Sequence, residues 1–452
     1  MQQNDAQYRK MIETPIPKLV ISMAIPTMIS MLVTSIYNVA DTYFVSQLGT
    51  SASGAVGIVF SLMAVIQAIG FMVGMGAGSA ISRLLGEKES GQAQKIASCA
   101  LLTSIVFGTI LSVLGLIFLN NLMLWMGATE TILPYAAEYA RYILFVAPVM
   151  SASFVLNNLL RAEGKTKLSL IGIACGSLLN IGLDPLFIFV FQWGIRGAAF
   201  ATAVSQCIGC AVLFVFFLGK KTIIRFSPKN LTLDWTVYKE FLGNGMPSLF
   251  RQGLASVASV ALNHIAADYG DAAVAAMSIV GKIFLMLYCV LIGLGQGYQP
   301  VAGYNYGAEE YGRVRFAYRF MMRVGNIGMT LLGAGLFFFS GILIRQFVPD
   351  DENVVEIGTA ALRMQCIAMP FLTLGIACNM TFQAVGKSVK ATLLASCRQG
   401  FFFLPLIFVL PWMFGIIGME AAQPLADLGT FLVCLLPIRR FMKQLDSSTA
   451  QK

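Results

Sequence analysis

Long apolar stretches broken by short polar connections recur twelve times along the chain. About 20 apolar residues, at roughly 1.5 Å each, cross the hydrocarbon of a bilayer, and every stretch is that long. The first six are read at 18–45, 52–81, 93–120, 139–160, 168–191 and 195–218. The second six are read at 241–267, 272–301, 316–347, 355–383, 391–414 and 416–437. The pattern predicts an all-α, polytopic membrane protein of twelve transmembrane helices.

The polar punctuation repeats. An offset of 221 residues lays Pro26 on Pro247, Gly49 on Gly270, Gly74 on Gly295, Gly76 on Gly297, Gly86 on Gly307 and Gly91 on Gly312. An offset of 222 lays Pro148 on Pro370, Asn157 on Asn379 and Gly164-Lys165 on Gly386-Lys387. The chain therefore reads as two six-helix lobes in tandem, 18–219 and 241–438. A short segment 1–17, a linker 220–240 and a tail 439–452 complete it. Six spans per half is an even number, so both halves enter the membrane in the same sense. Parallel repeats of this kind are a common transporter architecture with the path in a cleft between the halves.

Composition agrees: 57% of residues are hydrophobic, 12% are charged and the mean hydropathy is +0.75, against roughly 25% charge in a soluble domain. The net charge of +9 does not point to nucleic acid, because no basic stripe with interleaved aromatics exists. Most basic residues fall in alternate short loops: Arg9, Lys10 and Lys18; Arg83, Lys88 and Lys95; Arg161, Lys165 and Lys167; Lys220, Lys221, Arg225, Lys229 and Lys239. The series continues with Arg313, Arg315, Arg319 and Arg323, then Lys387, Lys390 and Arg398, and ends with Arg439, Arg440, Lys443 and Lys452. This bias predicts a multi-pass protein of the cell membrane with both termini cytoplasmic. The polar opening segment, with Arg9, Lys10 and Glu13, does not have the form of a cleavable signal.

The nine cysteines lie in or beside apolar stretches and read as small packing residues. Cys207 and Cys210 make a C-x-x-C spacing without the strand-then-helix context of a redox motif.

Against this background Asp41 and Asp184 stand out, because a carboxylate in hydrocarbon costs on the order of 2.5 to 3.5 kcal/mol and normally lines a cavity or serves transport. Neither is duplicated: Asp41 falls on Leu262, and Asp184 near Pro405 or Leu406. Counted inward from the predicted outer boundary, Asp41, Asp184 and Thr202 all sit about 6 to 11 Å deep. Tyr37 with Asp41, Asn180 with Asp184, and Thr202 with Gln206 are i, i+4 couples, each sharing a helix face. Pro185 also loosens the carbonyl of Ile181 four residues earlier. Such a set of oxygens suits a bound Na+, at Asp41, Asn180 and Asp184, or a proton shared because burial and like charge disfavour two ionised carboxylates. The plainer reading makes each acid a hydrogen-bonding group between helices.

The segments Ala24-Ile25-Pro26, Tyr37 to Asp41, Arg83-Leu84-Leu85-Gly86, Arg161-Ala162-Glu163-Gly164 and Asn180 to Phe189 resemble the multidrug and toxic compound extrusion (MATE) family. The resemblance covers essentially the whole chain. It implies an efflux antiporter with a large central cleft, driven by inward Na+ or H+ and expelling amphipathic, often cationic compounds. It further implies the branch with coupling acids in the first half: Asp41, Asn180, Asp184 and Thr202 for the ion, and Tyr37, Asn157 and Gln206 along the cavity. Another branch carries acids in the seventh and tenth spans, where this chain has Arg251, His264 and Arg363.

Arg251, Lys282 and Arg363 are bases inside apolar spans, and Asp427 lies midway along the twelfth, at the position matching Gln206. The expectation is that Asp427 pairs with one of these three, as a structural or gating pair or as a second proton or substrate site. His264, near the end of its span, reads as an interfacial residue. The many methionines and phenylalanines, 23 and 33, supply an adaptable cleft wall. An alternative within transport is a flippase for a lipid-linked saccharide, which the three bases would suit. With no H-E-x-x-H, no clustered metal ligands and one histidine, the chain is not expected to be an enzyme. The expected partners are small organic molecules and the bilayer, with no cofactor beyond the coupling ion, and the expected state is a monomer.

Overall fold

The computed structural model describes residues 2–219, 221–349 and 351–450, and the regular elements among them are all helices. Lys220 of the predicted linker and Lys452 of the tail lie outside the described residues. A surface helix α1 (Gln2–Glu13) precedes the first lobe, made of α2 (Ile16–Ser46), α3 (Thr50–Gly86), α4 (Ser90–Ile117), the short α5 (Leu119–Trp125), α6 (Leu133–Ala162), α7 (Thr166–Pro185) and α8 (Ile195–Leu218). The second lobe comprises α9 (Trp235–Ala267), α10 (Asp271–Gly307), α11 (Tyr311–Phe347), α12 (Glu352–Ala384), α13 (Ser388–Ser396), α14 (Leu404–Phe414) and α15 (Ile416–Ala450). A π-helical turn, Leu186–Val190, prolongs α7, and another, Cys397–Phe403, joins α13 to α14 into the eleventh span.

Eleven spans among the described residues are long and apolar enough to cross a membrane. The remaining predicted span, the seventh, is α9, with 33 residues, but Lys239, Glu240, Arg251 and His264 interrupt its apolar run. Every predicted stretch is a helix. One shift bears on the site: α6 begins at Leu133 rather than 139. The charge of Glu138 ends the apolar window early in sequence, yet the residue is helical and ion-paired with Arg196 of α8. Similarly, α15 continues past 438 to Ala450.

Helix-internal prolines are accommodated because hydroxyls and neighbouring helices satisfy the backbone they disturb. Around Pro26, Thr27 Oγ1 donates to the Met23 carbonyl and Ser30 Oγ to that of Pro26, both at 2.8 Å.

The two lobes meet through α2 and α3 on one side and α9 and α10 on the other. All the tight approaches lie at the end that carries both termini. A Cβ on Gly245 would run into the Met72 carbonyl, one on Gly76 into that of Phe241, and one on Gly297 into the backbone of Ala24. Only glycine lets these backbones touch. At the same end Arg83 Nη2 meets Glu240 Oε1 at 2.8 Å, and Arg161 donates to Gln296. Toward the far end of the same helices, a Cβ on Gly57, Gly253 or Gly281 would meet no atom within 4 Å. The closest contacts between the lobes therefore lie toward the end bearing the termini.

The connection between lobes is fastened to the first. Glu163, fully buried, accepts from the amides of Ile223 (3.0 Å) and Ile224 (2.8 Å) and from Lys165 Nζ (2.5 Å). Burial pushes its carboxyl above the ordinary glutamate range, against the pull of Lys165 and the two amides. Gln7 of α1 donates to the Glu163 carbonyl at 2.6 Å, so the opening helix docks on the same corner.

Candidate functional site

Four helices bring the acidic cluster together: α2 supplies Asp41, α7 supplies Asn180 and Asp184, α8 supplies Thr202 and α6 supplies Tyr139. All five are buried, at 0–2% exposure, within an otherwise apolar lobe. Asn180 Nδ2 donates to Asp184 Oδ1 and to Thr202 Oγ1, each at 3.2 Å. The Tyr139 hydroxyl lies 3.4 Å from Asp41 Oδ2 and 3.3 Å from Thr202 Oγ1. Asp41 and Asp184 thus belong to one network, linked through Tyr139, Thr202 and Asn180. Counted along their helices, Asp41, Asp184, Thr202 and Tyr139 lie about 7 to 11 Å from the far end of the lobe, and Asn180 one turn deeper.

The arrangement leaves oxygens over. Asp41 Oδ1, Asp184 Oδ2 and Asn180 Oδ1 are buried without a hydrogen-bond partner among the described residues. Two adjacent buried carboxylates cannot both remain charged without a compensating cation. Chemically the cluster can hold one positive charge, a shared proton or a small oxygen-ligated ion, and release it when the surroundings change.

Pro185 explains part of the local geometry. It lacks an amide hydrogen, and the π turn that follows it widens the helix, a feature frequent at functional sites. Within that turn Phe187 stacks on Trp193 (5.3 Å between centroids) and both meet Phe200 of α8 edge-on. These rings hold the ends of α7 and α8 together beyond the acids.

Next to the cluster, toward the termini, lies a cavity of about 260 Å³ between α2, α3, α6, α7 and α8. Tyr37, Asn157 and Gln206, the three residues expected along a cavity, all line it, with Thr34, Gln67 and Met150. Tyr37 joins the two regions, since it lines the cavity with Gln206 and lies one helical turn from Asp41 on α2. Asn157 is held by Nδ2 donations to Ser169 Oγ (2.8 Å) and the Ser169 carbonyl (3.2 Å).

Tyr139 was not expected from sequence. With the fourth span read from 139 it had no depth at all, whereas from Leu133 it lies about 9 Å in, level with the acids.

The second lobe corrects the expected pairing. Asp427 pairs with Arg398, whose Nε lies 2.6 Å from Oδ1, and not with Arg251, Lys282 or Arg363. Gln365 and Gln423 also donate to Asp427, at 2.8 and 3.0 Å. The basic-loop pattern groups Arg398 with Lys387 and Lys390, but the residue lies in the π turn within the eleventh span, facing α15. Arg251 instead donates to Asn379 Oδ1 at 2.9 Å and reaches Met75 Sδ at 3.5 Å across the seam between lobes. Arg363 donates to Ser340 Oγ at 3.1 Å and covers the Phe337 ring. Lys282 and His264 are exposed on α10 and α9.

Comparison with known proteins places this geometry. The family model described as MatE matches residues 26–186 and 247–409, one copy in each lobe and more than half of the chain together. "Multidrug export protein MepA" of Staphylococcus aureus (strain MSSA476) is 27% identical over 438 residues, covering 96% of each chain. The protein of that name in Staphylococcus haemolyticus (strain JCSC1435) is 28% identical over 408 residues, covering 90% of each. Among solved structures, one described as "Outward-facing conformation of a multidrug resistance MATE family transporter of the MOP superfamily" superposes with a TM-score of 0.91 at 25% identity, over 97% of this chain and 98% of that one. Another, "Reverse polarity of binding pocket suggests different function of a MOP superfamily transporter from Pyrococcus furiosus Vc1 (DSM3638)", gives the same TM-score, identity and coverage.

Proposed function

The chain belongs to the MATE family of multidrug export transporters, and from that premise we propose that it is a cation-coupled antiporter exporting amphipathic, cationic organic compounds across the cell membrane. It is a transporter and not an enzyme. In this reading both termini are cytoplasmic, as the basic loops require, so the tightly packed part of the seam lies toward the cytoplasm.

The observation that carries the reading is the buried network joining Asp41 and Asp184 through Tyr139, Thr202 and Asn180, with an oxygen of each acid left unpartnered among the described residues. One Na+ or proton entering from outside settles between the carboxyls, with Asn180, Thr202 and Tyr139 positioning them. A cationic compound in the adjoining cavity draws on the same negative charge, with Tyr37 between the two. Each ligand therefore weakens the other's hold, and by linkage the effect is reciprocal. Rocking of the lobes about the glycine seam would carry the cation inward and the compound outward by alternating access.

The test is accumulation of ethidium in cells stripped of their own efflux pumps. Expression of the chain should lower accumulation, and Asp184→Asn should abolish the effect at equal membrane abundance. Unchanged accumulation, together with transfer of a lipid-linked saccharide in vesicles, would replace this reading by the flippase.

A further inference from the structure

The second lobe contains a cavity of about 70 Å³ that repeats the first lobe's cavity position by position. At the offset of 222, Asn157 falls on Asn379, Gly176 on Arg398 and Ser177 on Gln399; at 221, Gln206 falls on Asp427. All eight residues line their respective cavities. Glycine and glutamine in one lobe thus become a buried ion pair in the other.

The charges of this second cavity do not balance. Asp427 is satisfied by Arg398, Gln365 and Gln423, and its side chain is fully buried. Arg251, also on the wall, has only the neutral acceptors Asn379 Oδ1 and Met75 Sδ and no ion-pair partner among the described residues. Two guanidiniums therefore face one carboxylate in an apolar lobe. Arg398 Nη2 is buried without a hydrogen-bond partner among the described residues, and the group lies over the Tyr288 ring at 4.7 Å. A buried guanidinium that lacks acceptors is completed by an anion, and its planar fork matches a carboxylate. Because Arg251 touches Met75 of the opposite lobe, the cavity adjoins the seam beneath the cleft.

We propose that this cavity is an anion subsite that takes the carboxylate of a zwitterionic amphipathic compound between Arg251 and Arg398. The volume has room for such a group, though not for a whole amphiphile. The positively charged part of the compound then remains in the cleft toward Asp41 and Asp184. The export of such compounds rests on the transport reading given above, whereas their binding does not.

Two dyes that differ by one charge test it. Rhodamine 110 has a cationic ring system and a free carboxylate, and rhodamine 123 is its methyl ester. Binding of each to the purified full chain is followed by fluorescence polarisation. Arg251→Gln should weaken rhodamine 110 about tenfold, the loss of one charge-assisted hydrogen bond, and leave rhodamine 123 within about twofold. Arg251→Lys should retain most of the affinity, and Arg398→Gln combined with Asp427→Asn should behave as Arg251→Gln does. Should the double variant not fold, Arg251→Gln decides alone. Equal loss for both dyes, or no loss for either, overturns the subsite. Asp184→Asn separates the two claims, since it should weaken rhodamine 123 whether or not the anion subsite exists.

Discussion

The Tyr139 hydroxyl stands 3.4 Å from Asp41 Oδ2, and because it also lies 3.3 Å from Thr202 Oγ1 it ties α2 to α8 through α6. Tyr139→Phe keeps the ring's packing and removes this link. A hydrogen bond to a charged group contributes about 1.5 to 3 kcal/mol, so cation-driven dye efflux should fall roughly tenfold or more at normal expression. Efflux rates in vesicles matched for protein content check this; wild-type rates would remove Tyr139 from the site.

The Arg398–Asp427 pair predicts a rescue. Removing one partner of a buried pair leaves an uncompensated charge and costs about 3 to 5 kcal/mol, whereas replacing both with apolar residues is often neutral. Arg398→Met and Asp427→Leu should each reduce folded protein in the membrane, and the double variant should recover most of it. Lys282→Met should have little effect. Gel filtration of fluorescent fusions reads the folded fraction, and a double variant no better than the worse single one would contradict the pairing.

These two relationships also mark where sequence reading stopped. Helix lengths, the tandem repeat and the depth of Asp41, Asp184 and Thr202 follow from rise per residue and apolar length, which a sequence contains. The cavity trio of Tyr37, Asn157 and Gln206 came from family resemblance and is found together. Tyr139 was hidden because Glu138 resembled a loop charge until its partner Arg196 was seen. Arg398 was hidden among neighbouring loop lysines. Which base meets Asp427 depends on how each helix is rotated about its axis in the packed bundle, and residue spacing does not record that.

The glycine seam predicts a locked state. At Gly245 a side chain would occupy the place of the Met72 carbonyl, so Gly245→Val should keep the lobes from closing at the end that bears the termini. Spin labels at positions 92 and 390, in a background without the native cysteines, should report a longer distance than in the parent, and efflux should be lost. An unchanged distance would mean that the seam tolerates the added bulk.

Glu163 predicts a loosened connection. Glu163→Gln replaces an acceptor of two amides and a lysine with a group that can present its own donors to them. Stability should drop by about 1 to 3 kcal/mol, and trypsin should cut at Lys221 and Arg225 sooner than in the parent chain. Equal cleavage rates would show that the linker is held by other contacts.

The central claim is that Asp41 and Asp184 together hold the coupling cation. Its most direct test is dye efflux from proteoliposomes in which a Na+ gradient and a pH gradient are imposed separately, with Asp184→Asn beside the parent chain. The account predicts that the parent chain exports dye under at least one gradient and that the variant, equally folded, exports under neither. Normal export by Asp184→Asn under the gradient that drives the parent chain would contradict it.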